Sequence, residues 1–340
     1  MDRLRGAISG FGEVAAKAHL AGWRTRDGIN ISVIHDPVSE RRHEAIRLIK
    51  NVRVYDDLEL MLDGEALDFV DIASPPAHHA AAARLALKAR AHVLVEKPLC
   101  LSLAEFDELA DLARTNGRIL MCVHNWKYAP AYAMARQFVD DGRLGSINFL
   151  SLDRLRTEPA GAGRAGGAWR SASDSGGGIL IDHGWHIFYL MQWLMGDEAP
   201  SAISASLSDI AGGTEEVADL RVTFSSGRVA QAHLSWRANT RRTSARISGK
   251  NGMLEIEGER VVLTDRAGTT RDLSVQDIAD DSYHSAWFAG VAAAFEQAIS
   301  EGIDSPTART NLTEARNALA LIVAARDSAK SLGAEVSIAS

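Results

Sequence analysis

The stretch that most constrains the fold is near the N-terminus, "LRGAISGFGEVAAKAHLAGW". An apolar strand-like run ends in Gly10, Phe11, Gly12, Glu13, and a helix-like, alanine-rich run follows, with Ala15 completing a G-x-G-x-x-A spacing. The first glycine serves a tight turn, the second lets backbone approach a pyrophosphate, and the small third residue lets helix and strand pack closely. The free N–H groups of the helix start would face phosphate oxygens. A plain strand–helix turn is the alternative, and the context decides against it. Over the first ~125 residues strands and helices alternate as in βαβ units on a parallel sheet.

After "INISVIHD" comes a helix that Ser39 can cap. "ALDFVDIAS" is a buried strand, followed beyond Pro75 and Pro76 by an alanine-rich helix. "AHVLVE" is another strand. Ser102 can cap the next helix, which Asn116-Gly117 ends, and "RILMCV" follows. Near Asn125 the rhythm changes. A helix leads to the alternating strand "GSINFLSLDRLRT", then to a loop rich in glycine and alanine. Short alternating strands from Ser201 to about Leu273 suggest an antiparallel meander, and two long helical patterns close the chain. The expected division is therefore 1–124, an α/β dinucleotide-binding domain, and 125–340, an α+β substrate and oligomerisation domain whose last helix is free to pack back on the first.

The chain's 340 residues suffice for two cores. A net charge of −7 without long Lys/Arg runs gives no electrostatic support for nucleic acid or an acidic membrane surface. No apolar run approaches the ~18 residues of a membrane span, and no signal-peptide pattern opens the sequence. Cys100 and Cys122 lack Cys-x-x-Cys partners. A soluble protein of a reducing cytoplasm is the expectation.

Asp36 ends the second strand, where a carboxylate accepts hydrogen bonds from adenosine ribose hydroxyls and repels a 2′-phosphate. That favours NAD, with NADP as the alternative if Arg41 or Arg42 serves it. In open parallel sheets ligands collect at the carboxyl ends of strands. Two such ends carry Ser74, Pro75, Pro76, His78 and His79, and Glu96, Lys97 and Pro98. Lys97 emerges from a buried strand where nicotinamide and substrate should meet; an ordinary junction lysine is the other reading.

The stretch "SDSGGGILIDHGWH" holds an aspartate and two histidines. A helix starting near Ile179 puts Asp182 and His186 on one face and turns His183 aside by ~100°. A metal centre lacks a well-placed third ligand, so no metal is expected. A structural polar pair and an acid–base pair remain, and histidine beside a carboxylate suits proton exchange near neutrality. Trp126, Tyr128, Trp169, Trp185 and His183 could face C–H surfaces of a sugar or else be core.

These segments, "GFGEVAAKAH", "SPPAHH", "VEKPLC", "NWKYAP" and "WRSASDSGGGILIDHGWH", resemble in order and spacing the Gfo/Idh/MocA family of NAD(P)-dependent oxidoreductases. The likeness implies a Rossmann domain and a domain with a large, open, mostly antiparallel sheet through which subunits form homodimers or homotetramers. It implies hydride transfer between nicotinamide and a sugar, cyclitol or related polyol. Lys97, Asp182 and His186 match catalytic positions. Gly10, Phe11, Gly12, Glu13, Asp36, Ser74, Pro75, His79, Glu96, Lys97 and Asn125 match cofactor positions. Trp169, Arg170, His183, Lys97 and His186 match substrate positions. Pro76 stands where asparagine is common, and Tyr189 where many members carry a further aspartate. A cofactor-binding protein without a redox step, or an NAD-dependent glycosidase, are the alternative functions.

Overall fold

The computed structural model describes residues 3–162, 165–172, 176–208, 213–277 and 283–338. The chain divides into two compact units, Met1–Tyr128 with Ile278–Arg316, and Ala129–Asp277 with Asn317–Ser340. The first unit takes in the helix Ser285–Glu301, whose Phe288, Val291, Ala292, Phe295 and Ala298 are buried in one cluster with Trp23, Phe69 and Leu94. Trp23 meets Phe69 at 4.9 Å and Phe288 at 5.7 Å between ring centroids.

The first unit is built on six parallel strands: β1 (Leu4–Ser9), β2 (Ile29–His35), β3 (Arg53–Tyr55), β4 (Phe69–Ile72), β5 (His92–Val95) and β6 (Leu120–Cys122). Their order, β3-β2-β1-β4-β5-β6, is that of dinucleotide-binding sheets, with the switch point between β1 and β4. β4 and β5 are apolar on both faces except at Asp71 and His92, as a sheet covered by helices on both sides requires. Ser102 caps helix Leu103–Thr115 as expected, accepting from the Glu105 N–H at 3.2 Å. Ser39 does not cap: it is itself the first helical residue, after an extended Val38. At the β6 edge the Asn311 amide continues the ladder, bonding the N–H and C=O of Cys122 at 2.7 and 2.9 Å.

The second unit carries nine strands: β7 (Ile147–Leu155), β8 (Pro200–Ser208), β9 (Val217–Phe224), β10 (Val229–Ser235), β11 (Arg242–Gly249), β12 (Gly252–Glu257), β13 (Arg260–Asp265), β14 (Thr270–Asp272) and β15 (Val336–Ser337). The order is β14-β13-β12-β11-β7-β10-β9-β8-β15, antiparallel throughout except for β7 beside β10. One face is an apolar row, with Leu150, Leu152, Ala232, Leu234, Leu220, Val222, Ala245 and Ile247 buried. The other face presents Asp219, Arg221, Gln231 and Arg246 to solvent. No helix among the described residues is long and apolar enough to cross a membrane.

Candidate functional site

In the first unit the glycine turn follows β1. Gly10 has φ +90°, and a Cβ there would lie 2.4 Å from the Ser74 nitrogen, so only glycine lets the β1 and β4 loops touch across the switch point. A Cβ on Gly12 would meet nothing within 4 Å, so its backbone faces open space suited to a phosphate. The Asp36 carboxylate is buried and takes two backbone N–H groups, Phe11 at 2.7 Å and Val38 at 2.9 Å. It therefore clamps the glycine turn to the end of β2, beyond any ribose contact it makes. The Arg42 guanidinium donates to the carbonyls of Asp36 and Pro37 at 2.7 and 2.9 Å, and Arg41 lies 3.6 Å from Glu44. Glu13 is exposed and accepts the Tyr283 hydroxyl at 2.6 Å.

His79 is buried at the start of helix His79–Lys88. Its two ring nitrogens lie 2.6 Å from the carbonyl oxygens of Ser74 and Pro98, so it ties the β4 loop to the β5 loop. Pro75 precedes the turn Pro76–His78, and Pro76 is buried. Glu96 follows β5 and accepts the Lys97 N–H at 2.9 Å. Its other oxygen is 3.0 Å from Nε2 of His19, whose Nδ1 is 2.9 Å from Asp71. Asp71 also takes the Trp23 indole N–H at 2.7 Å. Burial alone would lower the His19 pKa, but Asp71 and Glu96 outweigh it and raise it to about 9. Burial would likewise raise Glu96, yet His19 and Lys97 hold it below the usual carboxylate range. Lys97 is half-buried, and the Lys97–Pro98 peptide is cis.

Asn125 opens the turn Asn125–Tyr128, with its Oδ1 buried and unbonded among the described residues. Glu314 anchors this turn: it lies 3.2 Å from His124 Nδ1 and accepts from Lys127. Burial alone would raise Glu314, but Lys127 and His124 hold its carboxyl low. Sequence reasoning missed His19, Asp71, His124 and Glu314. A histidine one helical stretch after the glycine turn was the only local signal for any of them.

In the second unit Trp169 and Arg170 lie on the turn Ala165–Ser171. The Arg170 guanidinium stacks 4.5 Å from the Trp169 ring and its Nε donates to Asp182 at 3.0 Å. The following glycines permit this. A Cβ on Gly177 would sit 2.6 Å from the Arg170 carbonyl oxygen, and one on Gly178 (φ +104°) 2.3 Å from Glu215 Oε1. Residues 173–175 of the quoted stretch lie outside the described residues. The helix then opens with a π-type turn, Leu180–Gly184, and continues as Trp185–Leu194. π-type turns are rare and concentrate at functional sites.

Asp182, His183 and His186 are all buried. His183 Nε2 lies 3.8 Å from the Asp182 carboxylate, and its ring meets Trp236 edge-on at 6.2 Å. His186 Nδ1 lies 2.9 Å from the Tyr189 hydroxyl, so the position where many family members carry aspartate is a partner of the histidine. Trp185 is fully buried and belongs to the core.

Residues 4–124 match the family described as an oxidoreductase family with an NAD-binding Rossmann fold, and residues 132–255 match the GFO/IDH/MocA C-terminal domain. The chain is 29% identical over 285 residues to D-apiose dehydrogenase of Paraburkholderia graminis, covering 79% of this chain and 72% of that one. It is 27% identical over 302 residues to D-glucoside 3-dehydrogenase of Escherichia coli, covering 83% and 84%. The fold is shared with a levoglucosan dehydrogenase solved with NADH and levoglucosan, at TM-score 0.86 and 19% identity over 100% of both chains. The glycine turn at the switch point, the open space before Gly12 and the two matched domains show that this chain is a member of the Gfo/Idh/MocA family of oxidoreductases, with an NAD-binding Rossmann domain.

Proposed function

We propose that the protein transfers a hydride between a nicotinamide cofactor, NAD, and a CH–OH or C=O group of a sugar, cyclitol or related polyol. The observation that carries this reading is the buried Asp182–His183–His186 segment, with Arg170 on the carboxylate and Tyr189 on His186 Nδ1. The relatives named above, by their names, act on apiose and on glucosides.

The cofactor supplies the two-electron acceptor. With Nδ1–H donating to the Tyr189 hydroxyl oxygen, His186 takes the substrate hydroxyl proton at Nε2. Asp182 supports the positive charge that results, and Arg170 fixes Asp182 in place. Lys97 supplies positive charge to the reacting oxygen, its backbone held by Glu96. In reduction the same groups return the proton. Asp36 near the glycine turn, with Arg42 turned to backbone carbonyls, favours NAD over NADP. Copies associate as dimers or tetramers through the solvated face of the nine-stranded sheet; charge reversal at Arg221 and Arg246 should dissociate them in sedimentation velocity.

Nicotinamide absorbance with a panel of sugars, inositols and their acidic derivatives tests the reaction. His186→Ala should lower kcat by roughly 10²–10⁴-fold while NAD affinity holds. Undiminished turnover in that variant would sink the assignment. Release of free sugar without net NADH would instead favour the glycosidase reading.

A further inference from the structure

A cavity of about 320 Å³ opens in the first unit at the amino-terminal ends of β1 and β2. It lies at the opposite end of the sheet from the glycine turn, because Gly10 and Asp36 follow the carboxyl ends of the same two strands. Ligand pockets run from about 300 to 1,000 Å³, so the space suits a small molecule. Leu20, Trp23, Ile29 and Ile49 are buried side chains that form its floor. Four cations line it, Arg3, Arg24, Arg26 and Lys50, against one carboxylate, Asp27. They come from four separate segments. Arg3 precedes β1, Arg24 ends the helix Leu20–Trp23, Arg26 lies in the turn before β2, and Lys50 follows the helix Ser39–Leu48.

Arg26 is held by Glu296 at 2.6 Å. The other three have no such partner: among the described residues no carboxylate lies within 4 Å of Arg3, Arg24 or Lys50. Arg24 donates to the Leu48 carbonyl, which anchors the side chain but carries no full charge. Elsewhere in this unit Arg5, Arg84, Arg114 and Arg316 each meet a carboxylate at 2.6 to 3.3 Å. The chain's net charge is −7, yet this cavity gathers cations. A cleft with low-dielectric walls and one sign of charge focuses its field and concentrates the opposite ion. A phosphate ester brings a charge of about −1.5 to −2 and three acceptor oxygens, enough to meet three cations. The arginine fork fits two of those oxygens at once. A carboxylate, with a single charge and two oxygens, matches the three less well.

We propose that this cavity binds a small phosphate ester through Arg3, Arg24 and Lys50, as a site separate from the cofactor turn. Such a site does not depend on the redox reaction proposed above.

Titration calorimetry on the full-length protein saturated with NADH, so that the glycine turn is already filled, provides the test. The probe is glucose 6-phosphate, with glucose and glucuronate as the matched neutral and carboxylate compounds. The phosphate should bind roughly 10-fold or more tightly than either, the factor charged hydrogen bonds supply. Its affinity should fall as salt rises from about 50 to about 500 mM, since the cations stand at a solvent-open cavity. Arg24→Met combined with Lys50→Met should weaken it roughly 10-fold or more, and Arg3→Met should weaken it by itself. Arg24→Lys, which keeps charge but not the fork, should lose less than Arg24→Met. Thermal melting shows whether each variant is folded. Phosphate binding that the folded Arg24→Met, Lys50→Met double variant leaves unchanged lies elsewhere and overturns the site. Absence of phosphate binding, or binding no tighter than that of glucose, overturns it as well. Glucuronate bound as tightly as the phosphate overturns the assignment to a phosphate ester.

Discussion

The Tyr189 hydroxyl lies 2.9 Å from Nδ1 of His186, three residues earlier on the same helix, with both side chains buried. If Nδ1–H donates to the tyrosine oxygen, Nε2 is the nitrogen that accepts a proton from substrate. Tyr189→Phe removes the acceptor and lets the neutral ring put its proton on Nε2. We expect kcat to fall roughly 10-fold or more, the worth of a buried hydrogen bond of about 1–3 kcal/mol. NAD affinity, measured by fluorescence quenching, should not follow. A phenylalanine variant with wild-type kcat would show that Nδ1 needs no such partner.

The site turn depends on glycine at 178 for two separable reasons. Its φ of +104° costs a side chain about 1–3 kcal/mol, and a Cβ would strike Glu215 Oε1 at 2.3 Å. Gly196 has a similar φ of +84°, but nothing lies within 4 Å of a Cβ there. Gly178→Ala should therefore lower the unfolding midpoint in denaturant more than Gly196→Ala. It should also displace Glu215 from the ion pair it makes with Arg326 at 2.9 Å. Equal losses in the two variants would mean that the crowding at Glu215 relaxes without cost.

Local chemistry made the glycine turn and the strand ends legible, because each rests on residues close together in sequence. What lay hidden depends on distance along the chain. His19 meets Asp71 across 52 residues and Glu96 across 77, and nothing in their own surroundings announces it. Strand β3 has three residues and the helix Leu58–Gly64 seven, too few to establish a period. The parallel pairing of β7 with β10 has the same alternation as an antiparallel one. The helix Ser285–Glu301 shows an apolar face, but the face does not say which core it joins.

Asp36 was read as a ribose contact, and its hydrogen bonds to the N–H groups of Phe11 and Val38 lead to a different expectation for its removal. Were it only a filter against the 2′-phosphate, Asp36→Ala would raise affinity for NADP. As a clamp on the glycine turn, its loss should loosen the pyrophosphate site for both cofactors. Titration calorimetry should show NAD and NADP each binding at least several-fold more weakly to Asp36→Ala. Asp36→Asn, which keeps one acceptor oxygen, should lie between. A gain in NADP affinity in the alanine variant would refute the clamp.

His19 gives the molecule a dependence on pH that can be isolated. Both its nitrogens face carboxylates, Asp71 and Glu96, so both must carry protons, and its ring stacks on Phe288 at 3.9 Å. Its folded pKa of about 9 stands above the ordinary 6.5. A raised pKa contributes stability that is fully present below the unfolded value and is lost as pH rises through the folded value. The window here runs from about 6.5 to about 9. Chemical denaturation of the wild type and His19→Gln should differ most near pH 6 and converge towards pH 10. The glutamine keeps a donor for one carboxylate and leaves Glu96 and Asp71 without the cation between them. Because Glu96 holds the Lys97 backbone, the variant should also raise KM and lower kcat in the dehydrogenase assay, and its pH–rate profile should flatten between pH 7 and 9. A stability difference that stays constant across this range would mean that His19 is neutral in the folded protein.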